Sequence, residues 1–433
     1  MRVAIHTLGC KVNQYESQAM ETLLLARGHH LVPFTDQADV YIVNSCTVTA
    51  TSDKKSRQAV RQARKRAPGA LVALCGCYPQ VSPEQAQALE ADLIAGSGDR
   101  RAFLDLVEQV AASGTPTVAL DDPFRRKSFE ALPAGGLEGR TRAMLKVEDG
   151  CTNFCSYCII PYARGAVRSL APASAAAQAQ ALGAAGYREI VVTGIELSAY
   201  GRDLPGRPGL ADLVEAVCQA VPGLRVRLGS LEPRTVTEDF CRRLAALPNL
   251  CPHFHLSLQS GCDATLARMK RRYDTARYRQ SVDLLRAHFG RPALTTDLIL
   301  GFPGETEEEF QQTLAFVRSC GFARMHLFPY SRRKGTPAAA MAGQVPNAEK
   351  ARRVRLAGEA AAAAERSWLT SWVGQAVPVL FEEEKEGFWR GYTPQYLEVL
   401  ARGTGLHNQI KTVTITAAGD TQVFGAITQE ENP

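Results

Sequence analysis

Between residues 142 and 366 a short apolar run followed by a helical pattern recurs along the chain. The candidate strands are residues 143–147, 189–193, 225–228, 253–258, 294–299 and 324–328, with helical periodicity over 173–185, 210–220, 236–246, 276–289 and 307–320. Such repetition makes a parallel sheet, because successive parallel strands need a crossover and a helix is the usual one. Six units are too few to close the eight-stranded βα barrel. The stretch is therefore expected to stay open, with ligands gathering at its strand ends.

The first unit runs into Cys151-Thr-Asn-Phe-Cys155-Ser-Tyr-Cys158. Three thiolates at this spacing can each take one corner iron of a cubane iron–sulfur cluster, whereas four would close it. The iron left open can bind and polarise a small molecule. A structural zinc site is one alternative, although those usually show paired C-x2-C units and a fourth ligand. Buried thiols behaving as small hydrophobes are the other.

Residues 1 to about 118 alternate apolar runs (2–8, 40–44, 71–74) with helical stretches (14–27, 52–66, 83–90), the pattern of a small α/β unit with a mainly parallel sheet. Cys10, Cys46 and Cys77 each lie just beyond one of those strands, so a second three-thiolate site can form there. Cys75 leaves open which thiol of the pair serves. Residues 54–66 carry seven Lys or Arg and no acid; on a helix, Arg57, Arg61 and Arg64 share one face. That face suits either plain solvation or phosphate contact. Residues 119–140 lose apolar periodicity and read as a linker, with Arg125, Arg126 and Lys127 inside it.

Twelve cysteines in 433 residues, with 45% hydrophobic and 22% charged content, suit a multi-domain chain in a reducing compartment rather than a disulfide scaffold. The first apolar run is too short for a signal peptide, and no stretch reaches membrane-spanning length, so a cytoplasmic protein is expected. A net charge of +6 is compatible with an anionic partner. The alanine-rich helix expected over 347–369 serves packing. Residues 371–433 break into short strands at 377–381, 388–392, 397–400, 409–416 and 423–428, a small five-stranded barrel. Four basic against eight acidic residues there argue against a purely electrostatic RNA platform.

Polar motifs fall just after the strands of the central region. Glu196 follows the second, Ser230 and Glu232 the third, Gln259 the fourth, Gly301-Phe-Pro-Gly the fifth and Tyr330 the sixth. Arg164 and Arg168 follow the cysteine loop and suit a cofactor carboxylate, a phosphate or an internal ion pair. Arg268, Lys270, Arg271 and Arg272 form a further basic cluster, and Arg332, Arg333 and Lys334 another. Their recurrence beside these loops favours RNA over a small metabolite. Cys218, Cys241, Cys251, Cys262 and Cys320 show no paired spacing and read as ordinary thiols.

C-x3-C-x2-C with Tyr157 before the last cysteine resembles the signature of radical S-adenosylmethionine (SAM) enzymes, which use an open six-unit partial TIM barrel. The resemblance implies a cluster on Cys151, Cys155 and Cys158 whose open iron chelates SAM. It places Tyr157, Glu196, Ser230, Glu232, Gln259 and Tyr330 around that cofactor. Thr7-Leu-Gly-Cys-Lys-Val-Asn-Gln-Tyr-Glu16, Asn44-Ser-Cys-Thr-Val-Thr49 and Cys75-Gly-Cys-Tyr78 are similar to the N-terminal part of methylthiotransferases. There the matching cysteines, here Cys10, Cys46 and Cys77, hold an auxiliary [4Fe-4S] cluster. The tail resembles the OB-like TRAM domain, which binds RNA in that family.

The implied organisation is an α/β chain of four parts: a cluster domain (1–118), a linker (119–140), a radical SAM domain (141–368) and a TRAM-like domain (369–433). The implied activity inserts sulfur and transfers a methyl group to an unactivated aromatic carbon, which no acid or base can activate at neutral pH. The wording around Cys10 and Cys46 resembles the branch acting on N6-threonylcarbamoyladenosine beside the tRNA anticodon. Branches acting on isopentenyladenosine or a ribosomal protein are the near alternatives, and a non-catalytic, metal-stabilised RNA-binding protein the distant one. Implied partners are the anticodon stem-loop, an electron donor such as a flavodoxin or ferredoxin, and a sulfur donor. Arg57, Arg61, Arg64, Arg164, Arg168, Arg271 and Arg272 are the expected RNA contacts.

Overall fold

The apolar runs of the first third pair into one six-stranded parallel sheet. Its order is His30–Leu31, Arg2–Thr7, Val40–Ser45, Leu71–Gly76, Leu93–Ala95, Thr117–Ala119. This computed structural model describes residues 1–136 and 140–428; 137–139 of the expected linker and 429–433 of the expected tail unit lie outside the described residues. Three of the strands span two or three residues, too short for alternation to register, and the sequence reading missed them. It also missed the helix Arg100–Ser113, started by Asp99, which accepts from the Ala102 N–H, and ended by Gly114 in the left-handed region. The apolar faces of both sheet sides are filled by Val3, Ile42, Leu93 and Leu104 on one and Tyr41, Val43, Val72 and Tyr78 on the other.

Cysteines stand at three of this sheet's strand ends, as expected. Cys10 caps the helix Lys11–Ala26, Cys46 directly follows Val40–Ser45, and Cys77 opens the short helix Cys77–Val81. Gly76 makes the last turn possible: it sits at φ 99°, and a Cβ there would come within 2.6 Å of the Ser45 carbonyl.

The central region forms two parallel ladders in sequence. Arg142–Lys146, Glu189–Thr193 and Arg225–Leu228 make the first; Ser230–Leu231, His253–Leu256, Ala293–Leu300 and Arg324–Pro329 make the second. The third strand is interrupted at Gly229, where the sheet turns. Among the described residues no ladder joins the first strand to the last, so this is an open partial barrel. Its core is apolar and fully buried: Leu145, Ile190, Val192, Val226, Phe254 and Leu298. The helix Asn347–Thr370 then packs Ala357 and Ala360 against Leu300 and Phe310. Ala376–Lys385, Phe388–Tyr392, Glu398–Ala401, Val423–Ile427 and Ile410–Ala418 close into a five-stranded barrel.

Charges join these pieces. Glu16, on the helix Lys11–Ala26, is buried and receives Arg100 at 3.0 Å, Lys146 at 3.1 Å and both terminal nitrogens of Arg164. Asp149 shares Lys146 at 2.7 Å and Arg164 at 3.4 Å. Burial alone would raise the Glu16 carboxyl, but Arg164, Arg100 and Lys146 hold it well below the usual carboxylate range. Burial opposes ionisation of Asp149 too, yet Lys146, Arg164 and Arg168 bring it down to about 2. Arg333, in the third basic cluster, is also buried and reaches Asp53 and Thr47 at 2.6 Å each. On the tail side, Arg227 donates to the Pro394 carbonyl at 2.7 Å and Arg225 to the Tyr392 carbonyl at 2.8 Å.

Removing one partner from a buried ion cluster strands the others. Glu16→Gln is expected to lower unfolding stability by about 3–5 kcal/mol in urea titrations of the apo-protein. Asp149 has a depressed folded pKa, so its stabilisation is complete above its ordinary 3.8 and is lost as pH falls toward 2. Urea midpoints of the wild type should accordingly fall across that window, and less steeply in Asp149→Asn.

Candidate active site

The loop Cys151–Cys158 leaves the two-residue strand Glu148–Asp149, which pairs with Arg168–Ser169. Cys151 and Cys155 are buried and Cys158 is partly so. Burial raises the Cys151 thiol, and its neighbours Cys158 and Cys155 add to the rise; Cys158 is pushed up to about 12 mainly by burial, with Cys155 contributing. The three sulfurs therefore lie within one another's electrostatic reach. At the N-terminal set Cys46 and Cys77 are buried, whereas Cys10 is exposed at the start of its helix. Cys75 instead lies fully buried beside Asn44, with its sulfur 4.0 Å from the Asn44 side-chain oxygen.

A guanidinium stands at each triad. Arg271 donates to the Cys155 sulfur at 3.2 Å and Arg164 to the Cys77 sulfur at 3.3 Å. Among the described residues, the only His, Cys, Asp or Glu set with ligand atoms all within 4.8 Å of one another is His255, Asp297 and His326. Neither cysteine triad is gathered that tightly. A tetrahedral zinc needs sulfurs roughly 3.8 Å apart, whereas thiolates that each cap their own iron stand farther apart. The donor set fits clusters with a free iron.

Three carboxylates collect beyond the first three barrel strands. Glu148 is buried, accepts the Glu196 N–H at 2.7 Å and leaves its other oxygen unpaired; burial raises its pKa well above the usual value. Glu196 accepts from Asn153 of the cysteine loop at 2.9 Å, and its pKa is raised by burial and then by Glu232. Glu232 is bound to Arg234 at 2.9 Å. On the far side Tyr157, Phe302, Tyr330 and Met269 make an apolar cluster, with Phe302 edge-on to both tyrosines and the Tyr330 hydroxyl unpartnered. Ser230 is exposed. Gln259 holds φ 70°, its backbone bonded to Asp297 and Ile299 at 2.9 Å.

The expected RNA contacts divide. Arg164 and Arg168 are buried and bonded inside the protein, the latter to the Arg164 and Ala166 carbonyls, so neither offers a phosphate contact. Arg64 is drawn into Asp92 at 2.6 Å and the Ala70 carbonyl at 2.8 Å. Arg271 belongs to the cysteine site, and Arg57 lies over the Tyr78 ring. Arg61 and Arg272 remain exposed. The sequence reading missed Phe124, Phe154 and Tyr162, exposed aromatics that pack on one another beside the cysteine loop. Phe154 and Tyr162 could have been found: both flank the cysteines, and neither fits an apolar strand or helix face.

Two cavities, of about 740 and 440 Å³, share Lys11, His253 and Tyr396. Strand residues from the barrel interior line them, with Lys11 on the N-terminal side and Tyr396 on the tail side.

An open parallel barrel with a three-cysteine loop after its first strand defines a radical SAM enzyme, and residues 145–317 match the Radical SAM superfamily. Residues 2–96 match a family described as Uncharacterized protein family UPF0004. The chain is 37% identical over 425 residues to the threonylcarbamoyladenosine tRNA methylthiotransferase MtaB of Bacillus subtilis, covering 96% of this chain and 94% of that one. The Thermotoga maritima protein of the same name is 36% identical, at 96% and 95% coverage. The tRNA-2-methylthio-N(6)-dimethylallyladenosine synthase of Symbiobacterium thermophilum is 32% identical, at 99% and 94%. Among solved structures, the radical SAM methyltransferase TsrM of Kitasatospora setae superposes with a TM-score of 0.57 at 15% identity, over 78% of this chain and 76% of that one. The chain belongs to the radical SAM methylthiotransferase family. Membership carries SAM and a [4Fe-4S] cluster with it.

Arg271 places positive charge against the Cys155 sulfur, and such contacts favour the reduced form of a cluster held there. Arg271→Gln is expected to move the midpoint potential of that cluster negative by on the order of tens of millivolts, measured by potentiometric titration followed by electron paramagnetic resonance.

Proposed function

We propose that this chain installs a methylthio group at C2 of N6-threonylcarbamoyladenosine in tRNA. The observation that carries the reading is the Arg164 bridge. One side chain bonds Glu16 of the N-terminal helix, Asp149 before the cysteine loop and the Cys77 sulfur together. It sets a second three-thiolate site beside the first, one more than SAM cleavage requires. Cys151, Cys155 and Cys158 hold the SAM cluster in this reading, and Cys10, Cys46 and Cys77 an auxiliary one at which sulfur is delivered. When bound and reduced, a cluster held there would supply the electron for SAM cleavage and hydrogen removal from the target carbon, with a second SAM as the methyl donor.

The remaining roles belong to the chain. Glu196 and Glu232 offer charge to the cationic amino and sulfonium groups of SAM, and a cation arriving there offsets the burial that raises Glu196. Tyr157, Phe302 and Tyr330 give adenine an apolar wall that excludes water. Phe124, Phe154 and Tyr162 form a stacking platform of the kind that takes unpaired bases. Arg61 and Arg272 face solvent for phosphate contact. The units 1–118, 141–368 and 369–433 act as cluster, radical and RNA-facing parts. A low-potential flavodoxin or ferredoxin and a sulfur donor complete the turnover in the cytoplasm.

Anaerobic reconstitution tests this directly. About eight irons per chain (two cubanes), halved in Cys151→Ala with 5′-deoxyadenosine formation abolished, are expected. Nucleoside mass spectrometry should find the 2-methylthio product on tRNA carrying threonylcarbamoyladenosine and none on tRNA carrying isopentenyladenosine. Zinc without SAM cleavage, or the reverse nucleoside preference, would overturn it.

A further inference from the structure

The barrel lumen has an imbalance of charge. Most of the cations along it are matched: Arg142 by Glu382, Arg227 by Glu189 at 2.7 Å and Arg324 by Glu365 at 3.6 Å. Lys11 has no acidic or hydrogen-bonding partner for its ammonium among the described residues, although it lines both cavities. Its side chain is exposed to that space rather than buried, with Arg142 and Arg227 on the same lining. His326 lies across the same cavity, its ring without a hydrogen bond. It stands opposite Asp297 in the strand register, two residues beyond the Thr295 that pairs with His255. Burial lowers the His326 pKa, so near neutrality it presents an N–H donor rather than a second full charge.

We infer that Lys11 and His326 form a carboxylate subsite in the lumen, which takes the amino-acid carboxylate on the N6 substituent of the target adenosine. This rests on the substrate proposed above and names the part of it that is read. The lining selects the class of anion. Asp297, Glu365 and Glu398 border the same cavity, so a phosphate monoester of charge near −2 meets stronger repulsion there than a single carboxylate on a polar stem. A cavity of about 440 Å³ holds a side-chain-sized group and not a nucleic-acid backbone. Lys11 is joined to Cys10, so an adenosine anchored here by its substituent has its base beside the N-terminal cysteines.

The test compares two anticodon stem-loop RNAs, one carrying N6-threonylcarbamoyladenosine and one with that carboxylate converted to a neutral amide. Binding to the reconstituted enzyme is measured by fluorescence anisotropy at one salt concentration. The wild type should prefer the acid by about 10- to 100-fold, the range of one charge-assisted hydrogen bond. Lys11→Met should erase that preference, Lys11→Arg should keep most of it, and His326→Phe should reduce it about tenfold or less. Iron content and uncoupled SAM cleavage are read alongside and should stay at wild-type levels. Equal loss for both RNAs in Lys11→Met would make Lys11 a phosphate contact and overturn the subsite. No preference in a wild type that still methylthiolates the acid RNA would overturn it as well. A wild type inactive on that RNA, yet binding the acid form preferentially through Lys11, would instead sink the proposed substrate and leave the subsite standing.

Discussion

The Glu16 carboxylate, buried among Arg100, Lys146 and Arg164, is the contact on which the arrangement of both cysteine sites depends. Its helix begins at Cys10, and Arg164 follows the loop that carries the other three thiols. A buried ion cluster of this sort is a poor device for stability alone, since well-packed apolar side chains serve as well. What it adds is direction. Guanidinium and carboxylate meet in few geometries, and Arg164 must satisfy Glu16, Asn13, Asp149 and Cys77 at once. Two sheets that could otherwise slide over each other are thereby registered to a fraction of a side chain.

The tail barrel is attached by the same means but at the opposite end of the central strands. Its acidity, which from composition argued only against an electrostatic RNA surface, has a structural use: Glu382 takes Arg142 and the Thr141 hydroxyl. Tyr396 sits under Arg142 and Arg227, stacked on Tyr392, and closes the lumen from below. The open seam of the partial barrel is thus bordered by the N-terminal unit and the tail.

What could be read from the sequence was local. Cysteine spacing, the six strand–helix units and the five tail strands are set by neighbours in the chain, and the helices 210–220 and 307–320 fall where periodicity put them. Partners distant in sequence could not be read. Arg164 looks like a phosphate ligand because Glu16 lies 148 residues away, and Arg64 because Asp92 lies 28 away. Glu196 beside Asn153 was legible as a polar residue at a strand end, but Glu148, with one oxygen unpaired beneath it, was not. A glutamate in the two-residue strand Glu148–Asp149 gives no sign of which face it takes until the sheet is built.

Chain order gives the Glu16 cluster a history. During synthesis the N-terminal sheet is complete well before residue 164 is made, and domains fold as units while the chain grows. In that interval Glu16 has Arg100 but neither Lys146 nor Arg164, and Cys77 lacks its guanidinium. The first three thiols therefore wait on the barrel for that guanidinium, and Cys10 stays exposed even in the finished chain. Filling that site before Arg164 arrives, and fixing it afterwards, is the sequence of events the chain's own order favours.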